Sequence, residues 1–158
     1  MTPKILVTGG RKFNDKALVH HTMSKVFQLS RTFNKTQPII VHGDCPTGLD
    51  RLVRDFVCNY IHMGEDHQRA YPALWNLPDG SINLSAGTIR NIHMFDSELP
   101  HLLLSYPGGR GTRHMTSYAK SKGCAIILVR NQNDFDNDIN AFWESKYNGN
   151  QELKCFGL

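Results

Sequence analysis

The sequence predicts an α/β protein built on a mainly parallel sheet of about five strands, with helices on both faces. Two observations predict it. Short apolar, β-branched runs alternate with longer segments of helical spacing along the chain. Glycine-rich turns follow three of the apolar runs, after Thr8, His42 and Tyr106. In an open parallel sheet these turns stand at the carboxyl ends of the strands, where ligands bind near a topological switch point.

The elements follow in order. Lys4 to Thr8 (Lys-Ile-Leu-Val-Thr) reads as a buried strand opening into Gly9-Gly10. Lys16 to Leu29 has Leu18, Met23, Val26, Phe27 and Leu29 close to helical spacing, with Asp15 as N-cap. Pro38 to His42 is the second strand, ending at Gly43. Leu49 to Ile61 presents Leu49, Leu52, Val53, Phe56, Val57, Tyr60 and Ile61 on one helical face, capped by Thr47 or Gly48. Gln68 to Tyr71 is a short third strand. Residues 72–84 hold Pro72, Pro78, Asp79-Gly80 and Trp75, and read as a loop or flap. Ser85 to Phe95 is a helix, and His101 to Ser105 is the fourth strand. Thr112 to Lys122 is a helix stopped by Gly123. Cys124 to Val129 is the fifth strand, and residues 134–147 form an amphipathic C-terminal helix carrying Phe135, Ile139, Phe142 and Trp143.

At 158 residues the chain is one domain over 1–158, with its core in about 4–130. Apolar content of 40% and charged content of 20% are ordinary for a globular protein. No apolar run approaches the roughly 20 residues that cross a bilayer. The N-terminus enters a strand pattern directly and lacks a signal-peptide apolar region, so the expected location is cytoplasmic. Cys45, Cys58, Cys124 and Cys155 stand far apart, which argues against a zinc knuckle or dithiol redox pair and for reduced, structural thiols. No metal or cofactor site is expected. The net charge, 18 − 14 = +4, suits an anionic ligand, whether nucleotide or nucleic acid, but no extended basic run marks a nucleic-acid footprint.

The most specific motif is Tyr106-Pro-Gly-Gly-Arg-Gly-Thr112, between a strand and a helix. Gly108, Gly109 and Gly111 let backbone N–H groups approach an anion with no Cβ in the way. Arg110 adds a charge, and the helix from Thr112 adds free N–H groups and a positive dipole end. It is neither a Walker A loop, because the Gly-Lys-Ser/Thr ending is absent, nor GxGxxG. Thr8-Gly9-Gly10-Arg11 is either a second phosphate contact or a tight strand exit with a surface arginine. In the segment from His42 to Asp50, Gly43, Asp44 and Gly48 shape a third loop. Asp50 there accepts from ribose hydroxyls, orients Arg11 or Arg90, or simply complements the helix dipole. His42 itself reads as a satisfied strand-end histidine. Arg90 and Asn91, in Ser85-Ala86-Gly87-Thr88-Ile89-Arg90-Asn91, offer a charge and an amide to a phosphate or base, or form an ordinary helix surface. Trp75 and Tyr71 stack on a base or form a structural lid.

Taken as an ordered set over about residues 4–130, Val7-Thr8-Gly9-Gly10-Arg11-Lys12-Phe13, His42-Gly43 through Gly48-Leu49-Asp50, Trp75, Ala86-Gly87 with Arg90-Asn91, and Pro107 to Thr112 resemble the SLOG superfamily, closest to its stand-alone YspA-like branch. The resemblance implies a Rossmann-like three-layer fold with a nucleotide or nucleotide-derived ligand over the glycine loops. It also implies two alternatives. One is N-glycosidic hydrolysis or transfer on nucleoside monophosphates, as in the LOG branch; the other is single-stranded DNA binding, as in the DprA branch. A homodimer is expected by analogy with related folds. The LOG pattern has a catalytic glutamate three residues after the motif's threonine, and Met115 occupies that position here. A thioether neither activates water nor stabilises an oxocarbenium-like transition state, so any catalysis would fall to another carboxylate, with Asp50 the first choice and Asp44 or the 72–84 loop behind it.

Overall fold

The computed structural model describes residues 1–60 and 64–147. Five parallel strands form one sheet in the order β3-β2-β1-β4-β5: β1 Lys4–Thr8, β2 Ile39–His42, β3 Gln68–Ala70, β4 Leu102–Ser105 and β5 Ala125–Leu128. The helices are α1 Lys16–Asn34, α2 Gly48–Asp55, α3 Ala86–Glu98, α4 Arg110–Ser121 and α5 Gln132–Tyr147. This is a Rossmann-like three-layer α/β architecture, as the alternation of segments predicts. No helix among the described residues is long and apolar enough to cross a membrane.

Strand alternation assigns the helices to faces. Ile5, Val7, Ile40, Leu102 and Leu104 pack into one core with residues of α1, α2 and α5, including Val19, Val53 and Ile139. The intervening Leu6, Val41 and Leu103 pack against Met94 and Phe95 of α3 and Met115 and Ala119 of α4. Central strands covered on both faces need apolar residues at successive positions, and this is why β1, β2 and β4 read as continuous apolar runs.

Local chemistry sets the helix ends. The Asp15 carboxylate accepts the Leu18 N–H at 3.0 Å and starts α1. That helix runs five residues beyond its sequence-predicted end at Leu29, to Asn34. Lys35 then closes it in the left-handed region at φ 58°, its N–H donating to Arg31 C=O. The extra turn carries Phe33, whose ring stacks on Trp143 of α5 at 6.3 Å. The expected single helix from Leu49 to Ile61 is α2 followed by a π-helical turn, Phe56–Tyr60. Ile61 and Cys155 lie outside the described residues. Gly123 stops α4 at φ 74°, as expected. Residues 72–84 form a loop with one antiparallel bridge, Asn76 to Ile82.

Two buried polar groups tie β1 to its surroundings. The Glu98 carboxylate, at the end of α3, receives Lys4 Nζ at 2.9 Å, Arg69 Nη1 at 2.8 Å and the Tyr71 hydroxyl at 2.5 Å. Burial works to raise its pKa, but these donors together hold it below the usual carboxylate value. His101 accepts the Lys4 N–H on Nδ1 at 3.0 Å. Burial first, then the Lys4 charge, push its pKa down to about 4 from 6.5. The unfolded chain therefore binds a proton at a pH where the native state refuses it. His101 leaves stability intact above pH 6.5 and drains it as pH falls toward about 4, by up to about 3 kcal/mol. His101→Asn, which keeps an acceptor for Lys4, is expected to flatten stability across that window. Parallel denaturant midpoints for the two proteins from pH 7 to pH 4 would refute this assignment.

Candidate functional site

The sheet order reverses between β1 and β4, and the three glycine loops meet there. Gly10 N–H donates to Pro107 C=O at 2.9 Å, joining the loop after β1 to the loop after β4. Leu49 N–H donates to Gly10 C=O at 3.2 Å, joining the start of α2 to the same loop. These contacts need bare backbone. Gly48 has φ 70°, and a Cβ there would sit 2.6 Å from Arg11 Cα. A Cβ at Gly108 would sit 2.7 Å from Gly10 N. Gly48 and Gly108 thus press the loops together.

Gly109 and Gly111 differ. A Cβ at either meets no protein atom within 4 Å, so both face open space. That space is a cleft of about 800 Å³, within the roughly 300–1,000 Å³ of small-molecule sites. Its floor is the start of α4. The N–H groups of Gly109, Arg110, Gly111 and Thr112 precede the first intrahelical bond, Arg113 N–H to Gly109 C=O at 3.1 Å, and so have no acceptor within the helix. Gly109 at the cap supplies no side chain to them. Thr112 is 8% exposed, and its hydroxyl has no hydrogen-bond partner among the described residues.

The cleft is electropositive. Arg11, Lys12, Arg90 and Arg110 line it against the lone carboxylate of Asp50. A second groove, of about 660 Å³ between β5 and α5, sets Asp134 and Asp138 against Arg130 and does not suit an anion.

The sequence-predicted residues divide. Gly9, Gly10, Arg11, Gly43, Asp50, Trp75, Arg90, Asn91 and Gly108 to Thr112 all line the cleft. Asp44 and Gly48 do not. Asp44, at φ 54°, turns its carboxylate to Arg54 at 2.9 Å and donates its N–H to His42 Nδ1 at 3.1 Å. Gly48 acts one layer back, holding the Arg11 loop. Tyr71 and Trp75 also part company. Tyr71 is held by Glu98 behind the site, whereas the Trp75 ring lies beneath the Arg11 guanidinium, 4.8 Å from it, and against Gly87.

Arg90 works as a brace. Its Nη1 donates to the carbonyls of Gly43 and Tyr71, the latter at 3.0 Å, and its Nε donates to Asn91 Oδ1 at 3.0 Å. Asn91 passes the order on, donating Nδ2 to Gly111 C=O at 3.2 Å. Asp50 is 8% exposed, with Oδ2 accepting the Cys45 N–H at 3.1 Å and Oδ1 bound by no described residue. Burial pushes its pKa up, against the Cys45 N–H and the charges of His42 and Arg90. His42 is fully buried and donates from Nε2 to Gln68 Oε1 at 3.1 Å; burial pushes its pKa down, so it is the satisfied strand-end histidine that the sequence suggests.

Met115 does not reach the cleft. It is fully buried in the second core with Leu6, Leu103 and Met94. Sequence reasoning missed His114, which lines the cleft from the first turns of α4. The only signal was its spacing, two residues after Thr112, beside the position of the missing glutamate.

No protein-family model matches the chain, and no curated protein matches it in sequence. Among solved structures it is similar to the Moco carrier protein from Chlamydomonas reinhardtii, at 16% identity and a TM-score of 0.45, over 94% of this chain and 86% of that one.

Proposed function

We propose that this protein binds a nucleotide or nucleotide-derived ligand, with a phosphate on the N-terminus of α4 and the nucleoside part toward Trp75 and Asp50. One observation carries the reading. Residues with four backbone N–H groups free of a helical acceptor, a buried hydroxyl and the basic side chains of Arg11, Lys12 and Arg110 line one cleft, and the two glycines there have open space where a Cβ would stand. Donors arranged this way favour an anion with several acceptor oxygens. Asp50 Oδ1 supplies the complementary acceptor for a hydroxyl or ring N–H.

A thermal-shift panel of nucleoside monophosphates, ADP-ribose-type compounds and short single-stranded DNA tests this. A ligand at 100 times its Kd is expected to add about 2.7 kcal/mol, or roughly 5–10 °C in a domain of this size. A panel in which only DNA shifts the melting point would replace this reading with the nucleic-acid one.

The buried Asp50 carboxylate, with its raised pKa, supports a second reading, hydrolysis at the N-glycosidic bond. Release of free base by the wild type, lost in Asp50→Asn with binding retained, would make Asp50 the catalytic carboxylate. The homodimer has its own support. Leu74, Leu77, Ile82, Leu84, Ile89 and Ile92 are all exposed on the flap and α3, an apolar concentration suited to contact between copies. Light scattering at micromolar concentration reads it.

A further inference from the structure

We propose that His114 lets this cleft tell a terminal phosphate, a monoester, from a phosphate inside a strand. The proposal rests on the nucleotide-binding reading above. His114 belongs to a chain of oriented groups. Arg90 Nε donates to Asn91 Oδ1 at 3.0 Å, and Asn91 Nδ2 donates to Gly111 C=O at 3.2 Å. Both contacts set the amide the same way round, with its NH₂ toward α4. His114 Nδ1 lies 3.4 Å from that NH₂, so Nδ1 accepts. In the neutral imidazole the ring proton is then on Nε2, which becomes a donor. The ring is steadied from behind by Tyr118, stacked at 6.3 Å and 10°.

The α4 terminus does not stand alone as evidence of a ligand. The Thr112 hydroxyl, on a residue 92% buried by its 8% exposure, opens on the same cleft without a protein partner. With the N–H groups of Gly109 to Thr112 and the Arg110 charge, these donors suit the two non-bridging oxygens that a diester and a monoester share. A monoester presents three, and His114 Nε2–H is available to the third. A nucleic-acid strand, whose internal phosphates are diesters, gains nothing from it.

Isothermal titration with adenosine 5′-monophosphate and its methyl phosphodiester tests this on the wild type, His114→Ala and His114→Gln. The extra charge favours the monoester in every protein, so the readout is the change in preference. His114→Ala is expected to cut the wild-type preference roughly tenfold, with diester affinity unchanged. Glutamine, whose side-chain N–H stands near the place of Nε2, is expected to restore most of it. Equal weakening of both ligands by His114→Ala, or an unchanged preference, overturns the role of His114 and leaves nucleotide binding standing. Failure of the wild type to bind either compound overturns the phosphate-cleft reading itself, and this proposal with it.

Discussion

Gly109→Val is expected to abolish binding of a phosphorylated ligand while leaving the protein folded. The two halves of this expectation have separate causes. A Cβ at Gly109, the cap of α4, meets no protein atom within 4 Å. The fold therefore tolerates the side chain. The same open space is where an anion must sit to accept the N–H groups of Gly109 to Thr112, and a valine fills it. Titration calorimetry reads the affinity and calorimetric unfolding reads the stability. Unchanged affinity would make the loop a structural turn; lost stability would mean that Gly109, like Gly48 and Gly108, holds the loops together. The contrast with Gly48 is direct, because a Cβ there meets Arg11 Cα at 2.6 Å on a backbone at φ 70°.

Met115→Glu is expected to destabilise the protein by several kcal/mol and to confer no hydrolase activity. From the motif alone the substitution looks like restoration of a catalytic carboxylate. The side chain is instead fully buried among Leu6, Val41, Leu103 and Ala119. A carboxylate there loses its water and meets no compensating donor, so it either unfolds the second core or stays protonated. Denaturant midpoints at pH 7 and pH 5 measure the cost, which should shrink at the lower pH as the glutamate takes up its proton. Stable protein that releases free base from nucleoside monophosphates would show that α4 can turn this position into the cleft.

Much of the architecture was legible because it is written locally. Strands of the buried sheet are short apolar runs, helices carry their spacing and caps at Asp15 and Gly123, and the switch point sits where two strands each end in glycines. The end of α1 was not legible, because the turn that carries Phe33 packs its ring on Trp143, more than a hundred residues away. Nor was the break in α2 at Phe56, since the apolar spacing of Phe56, Val57 and Tyr60 continues smoothly through it.

At the site, the sequence by itself determined which residue types were gathered: glycines after β1, β2 and β4, arginines at 11, 90 and 110, and carboxylates at 44 and 50. Only the tertiary structure decided their separate tasks. Gly48 and Gly108 press loop on loop, whereas Gly109 and Gly111 face open space. Arg90 braces carbonyls, Asp44 turns away to Arg54, Tyr71 goes to Glu98, and His114 takes its tautomer from Asn91. Identity and spacing follow from neighbours along the chain. A side chain's task follows from partners across the fold, such as Gly10 and Pro107, whose hydrogen bond joins loops nearly a hundred residues apart and does not exist until the sheet is assembled.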